Sequence, residues 1–135
     1  MTSIEEHRRV QEELEEDINE KINRNIITKR QKIIGFATSE ASANLFAILL
    51  HKLDLITAGF NVNHKFFASL ERAKEKFSFD FPTKEKILDL LVKQEKYRDL
   101  LCYGKNKSES IVKEATKNYF ELKKIIEEEL NKIEK

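Results

Sequence analysis

Between Thr28 and Thr57, apolar side chains fall on almost every side of a helix. Ile33, Ile34, Phe36, Leu45, Phe46, Ile48, Leu49, Leu50, Leu53 and Ile56 leave no broad polar face. A helix of that kind has to be enclosed by others, so this segment predicts the centre of a helical bundle. Three glycines and one proline are too few for the many tight turns of a sandwich or barrel. No strand pattern competes with the helical one. Within the central helix, Ala37 with Ala41 and Thr38 with Ser42 place small residues four apart, where a neighbouring helix can approach closely.

The flanking segments read as helices too. Ser3-Ile4-Glu5-Glu6 has capping-box spacing, and Val10, Leu14, Ile18, Ile22 and Ile26 follow as one narrow apolar stripe. A break near 26–29 separates this helix from the central one, which Ala58-Gly59 is expected to close. Asn63 can cap a shorter third helix carrying Phe66, Phe67, Leu70, Ala73 and Phe77. Ser78 to Pro82 reads as a loop, and Thr83 as the cap of a fourth helix that closes at Gly104. After the polar turn Lys105–Ser108, the residues Val112, Ala115, Tyr119, Leu122, Ile126, Leu130 and Ile133 step down a last helix. The expectation is an all-α, up-and-down bundle of four long helices and one short, forming a single domain over residues 1–135.

Charge is unevenly placed. Residues 1–20 hold eight acids against Arg8 and Arg9, while Lys21, Arg24, Lys29, Arg30 and Lys32 follow with no acid before residue 36. An acidic arm beside a basic body fits self-association or a polyanionic partner, and equally a helix whose solvated face is blocked by sign. Cys102 is the one cysteine, which excludes an intrachain disulfide and a multi-cysteine zinc site. No secretory leader pattern opens the chain. The longest apolar run, Leu45 to Leu50, is far short of the roughly 20 residues of a membrane span. A cytoplasmic protein with no membrane partner is expected.

Enzyme signatures are scarce. A ferritin-like metal centre needs Glu-x-x-His pairs, but Ile4, Ile48 and Asn61 stand three before His7, His51 and His64. His51 with Asp54 makes a single i, i+3 pair, too little for a metal, and no phosphate-loop or nucleophile-elbow motif occurs. No cofactor and no metal are expected, and Cys102 reads as a packed, inert thiol. Chemistry concentrates in Tyr97-Arg98-Asp99-Leu100-Leu101-Cys102-Tyr103-Gly104. There an Arg suited to phosphate and tyrosines suited to base stacking share a helix end. The same residues also fit surface salt bridges beside a helix cap.

The ordered set of features resembles the HEPN domain, a small all-helical nucleotide-binding family of prokaryotes, in its stand-alone form. The resemblance covers about residues 28–130. It is carried by the small-and-apolar helix from Gly35-Phe36-Ala37-Thr38 to Leu50 and the Asn63-His64-Lys65 start of the short helix. Tyr97-Arg98-Asp99 through Tyr103-Gly104 and the closing helix with Ala115, Tyr119 and Phe120 complete it. It implies a nucleotide- or RNA-binding module, a homodimer, and a small nucleotidyltransferase as partner in a toxin–antitoxin type pair. The implied site residues are Arg98, Asp99 and Tyr103, with His64 as a neighbour.

The family motif is an Arg followed, after four to six positions, by a His. The corresponding positions here hold Tyr103, Gly104 and Lys105. On an ideal helix, Arg98 and Tyr103 also stand about 140° apart. Ribonuclease members depend on that His, and a tyrosine with an ordinary pKa near 10 is a poor base. Binding without appreciable cleavage is therefore expected, and no catalytic residue is assigned. The alternatives are a metal-independent endoribonuclease using Arg98 and Tyr103, or a ligand-free structural bundle.

Overall fold

The computed structural model describes residues 3–134, and every regular element in them is helical. In chain order these are α1 (Ile4–Asn23), α2 (Gln31–Lys52), a 3-10 turn (His64–Phe67), α3 (Leu70–Lys76), α4 (Lys84–Cys102) and α5 (Glu109–Glu134). The all-α bundle of four long helices is as expected. α2 lies at its centre, packed by α1, α4 and α5, with Ile34, Leu45, Phe46, Leu49 and Leu50 wholly buried. By length and mean hydropathy α2 could cross a membrane, although most of that stretch is covered by the bundle. Its longest apolar run understates this, because Ala, Gly, Thr and Ser between the large side chains interrupt the run while keeping mean hydropathy high.

α2 is shorter than the expected span of 28–57, and its ends explain why. α1 and α2 both finish in Schellman motifs whose left-handed residue is not glycine. After α1, Asn25 adopts φ 56°, Ile26 N–H donates to Lys21 O (3.0 Å) and Asn25 N–H to Ile22 O (3.0 Å). After α2, Asp54 adopts φ 59°, Leu55 N–H donates to Leu50 O (2.9 Å) and Asp54 N–H to His51 O (3.0 Å). Asn and Asp tolerate this conformation better than other side chains. Gly59, expected to end the helix, lies well beyond it in the connecting loop and has no positive φ.

The caps hold unevenly. Ser3 Oγ accepts from Glu6 N–H (3.1 Å), while the Glu6 carboxylate pairs with Arg9 at 2.6 Å instead of closing the box. Asn63 Oδ1 accepts from Lys65 N–H (2.9 Å) but opens only the 3-10 turn. Ser69 Oγ then caps α3 through Arg72 N–H (3.1 Å), so the expected third helix is two pieces. Thr83 precedes α4 at φ 63° without capping it, because its hydroxyl donates to Glu129 of α5. Phe46 pins the crossover, with Phe67, Phe77 and Phe81 at ring distances of 5.9, 5.0 and 5.7 Å.

Polar ties complete the packing. Asn118 Nδ2 donates to Leu90 O (2.9 Å) and Gln94 Oε1 (2.8 Å), locking α5 to α4. Tyr119 donates to Glu15 (2.7 Å) and accepts from Gln11 (3.0 Å), while Lys123 pairs with Glu15 (2.6 Å) and Arg8 with Glu127 (2.8 Å), joining α1 to α5. Burial pushes the Tyr119 phenol well above its usual range.

Candidate functional site

The site begins with a glycine. A Cβ at Gly35 would stand 2.9 Å from Leu101 Cβ and 3.1 Å from Cys102 Sγ. Only a residue without a side chain lets α2 and α4 cross this closely. The crossing lays Phe36, Ser39 and Glu40 of α2 against Arg98 of α4. Arg98 Nη1 donates to Glu40 Oε1 (2.8 Å) and Ser39 Oγ (3.2 Å), and its guanidinium lies 5.2 Å from the centre of the Phe36 ring. Its side chain is 12% exposed, whereas Phe36 is 47% exposed. Asp99 is also exposed.

Tyr103 is 65% exposed. The chain leaves the helix there, with φ −126° and ψ 151° at Tyr103 and φ 76° at Gly104. The separation of Arg98 and Tyr103 on an ideal helix therefore does not apply.

His64 reaches α4 from the 3-10 turn. Its Nδ1 lies 2.9 Å from both carboxylate oxygens of Glu95. Burial pushes the Glu95 carboxyl above its usual range and Asp99 adds to the push, against the pull of His64 and Arg98. Cys102 is half-buried, with Sγ 3.4 Å from Lys32 O, and burial raises its thiol pKa. A thiol pushed in that direction carries less of the reactive thiolate at neutral pH.

A second tie defines the end of the bundle next to Tyr103. Gln31 Oε1 accepts from Lys107 N–H (2.7 Å) and Gln31 Nε2 donates to Lys107 O (3.3 Å). Lys32 Nζ donates to Cys102 O (3.1 Å). The start of α2 and the α4–α5 turn are thus laced together, and Lys29, Arg30 and Lys32 share one end with Lys105 and Lys107. None of these cations makes an ion pair among the described residues.

Sequence reasoning missed Ser39, Glu40 and Glu95, which fix Arg98 and His64. Each lies tens of residues from its partner, with no local pattern to mark it. It also missed Lys105 and Lys107 as company for the basic segment. A groove of about 810 Å³ lies elsewhere, lined by α1, α2 and α5, and contains none of the expected site residues. Another polar pair stands apart from the site: His7 stacks on His51 at 5.5 Å and bonds Asn44 through Nδ1 (2.8 Å). No group of three or more metal-ligating side chains forms among the described residues. Comparison with protein-family models, with curated proteins and with solved structures finds no match for the chain.

Proposed function

We propose that the chain is a nucleotide- or RNA-binding module of the HEPN kind, engaging phosphate-bearing ligands at the end of the bundle around Tyr103. The supporting observation is the Gln31–Lys107 tie, with the Lys32–Cys102 bond, which brings the start of α2 to the turn that carries the exposed Tyr103 and Lys105 and Lys107. Unpaired cations attract a phosphate backbone and release its counterions, and an exposed ring offers a face on which a base can stack. In this reading the partners are those the HEPN resemblance implies, a second copy and a small nucleotidyltransferase. Ile33 and Phe36, exposed beside the same end, would lie at the copy–copy contact.

The test is fluorescence anisotropy with a labelled single-stranded oligoribonucleotide. Binding is expected to weaken as salt rises and to be lost in the double variant Lys105→Glu, Lys107→Glu. Tyr103→Ala is expected to weaken it by about tenfold, the scale of one stacked base. No binding, or binding indifferent to the charge reversal, would leave the ligand-free bundle as the better account.

A further inference from the structure

The bundle carries opposite charge at its two ends. At one end lies the groove of about 810 Å³ lined by α1, α2 and α5. Ile48 and Leu130, both buried, form its floor with the half-buried Ile4. Glu5, Glu12, Glu13 and Glu16 of α1 line it too; they are exposed and make no ion pair among the described residues. The cations of the groove are already engaged, Arg8 with Glu127 (2.8 Å), Arg9 with Glu6 (2.6 Å) and Lys52 with Glu134 (3.8 Å). Glu12 and Glu16, four apart, repel along the helix, a cost that an incoming cation would offset.

We infer that this groove receives the basic end of a second copy of the chain. At that end Lys29, Arg30, Lys32, Lys105 and Lys107 make no ion pair among the described residues. The exposed apolar side chains Ile33 and Phe36 stand beside them. Carboxylates over an apolar floor thus face cations beside apolar side chains, and the two surfaces match in charge and in hydrocarbon.

The groove cannot take the basic end of its own chain. Lys32 and Ile48 stand at opposite ends of α2, about 24 Å apart along its axis. The occupant therefore comes from another molecule, and the surface that matches the groove is built into this chain. Two copies lying antiparallel would satisfy both ends at once, each patch exchanged for its complement. The contact goes beyond the phosphate-binding role proposed above and stands independently of it. It draws on the same cations, so a docked copy and a bound phosphate backbone exclude each other.

The experiment is sedimentation velocity of the full chain, free of nucleic acid, at about 0.1 M and about 1 M salt, where the Debye length falls from about 10 Å to about 3 Å. Wild type is expected to gain mass with concentration at the lower salt and to sediment as single chains at the higher. Two charge-reversed forms, each altered at exposed positions and checked by circular dichroism, then isolate the contact. Glu12→Lys, Glu13→Lys and Glu16→Lys invert the sign of the groove, and Lys29→Glu, Arg30→Glu and Lys105→Glu invert that of the opposite end. Each form alone is expected to associate at least about tenfold more weakly than wild type, since its two surfaces repel. Mixed in equal amounts the two are expected to associate again, because every surface then meets one of opposite sign. A wild type that stays single at both salts, a reversed form that associates as wild type does, or a mixture that stays apart overturns the contact. None of these outcomes bears on RNA binding, which the anisotropy measurement decides by itself.

Discussion

Gly35 and Leu101 touch where α2 crosses α4, so closely that a Cβ on Gly35 would lie 2.9 Å from Leu101 Cβ and 3.7 Å from Arg98 O. Alanine favours a helix over glycine by about 1 kcal/mol, but forcing a methyl into a packed crossing costs about 1–3 kcal/mol. Gly35→Ala is therefore expected to lose about 1 kcal/mol in urea unfolding and to disturb the Arg98–Glu40 pair beside it. A variant as stable as wild type would mean that the helices separate freely at this point.

Arg98 supports the fold as well as any ligand. Truncation in Arg98→Ala leaves Glu40, whose side chain is 33% exposed, without its cation, and removes the packing on Phe36. A loss of about 1–2 kcal/mol is expected for a partly buried, charge-assisted pair. Asp99→Ala is expected to be neutral within about 0.5 kcal/mol, since Asp99 is exposed and pairs with no described residue. Equal losses in the two variants would refute this division of roles. Binding measurements on Arg98→Ala belong at temperatures well below its unfolding transition.

His51, stacked on His7 at 5.5 Å, is expected to make stability depend on pH. Burial, and then the neighbouring His7, push the His51 imidazole below its usual range. The unfolded chain therefore binds a proton that the folded chain resists. This contribution is complete above the ordinary histidine pKa of about 6.5 and is lost as pH falls below it. Glu95, held above its usual range, acts with the opposite sign, so the informative quantity is the difference between wild type and His51→Gln. The urea midpoint of wild type is expected to fall more steeply between about pH 7 and about pH 5.5 than that of the variant. Parallel curves would remove His51 as the cause.

How legible each feature was depended on how local its cause is. The all-round apolar α2 needs enclosure whatever its neighbours are, so the bundle could be read directly. Ser3 and Asn63 cap through their own neighbours, and both caps were visible. Gly59 misled because glycine is the common helix stop. Asn25 and Asp54 ended the helices instead, through Schellman bonds that no composition rule marks. Thr83 looked like a cap, but Glu129, 46 residues away, claims its hydroxyl. Arg98 and His64 were visible as residue types in a suggestive order. Their anchors Glu40 and Glu95 were not, because two helices must first be docked before those side chains meet.

The way α1 is held has a further consequence. Ile18 is its one wholly buried large apolar side chain, and its other buried positions are His7, Gln11 and Lys21. Its ties to α5 run through Gln11, Glu15 and Arg8 rather than through packed hydrocarbon. Water can replace such bonds at little net cost, and the hydrocarbon α1 lays on α2 is Ile18 with the partly buried Ile4 and Leu14, less than the apolar surface that α4 and α5 cover. This helix is therefore expected to open more readily than the other three long helices. Native-state hydrogen exchange should find the amides of α1 less protected than those of α2, leaving a three-helix remainder that holds the Arg98 face intact while the acidic arm is away.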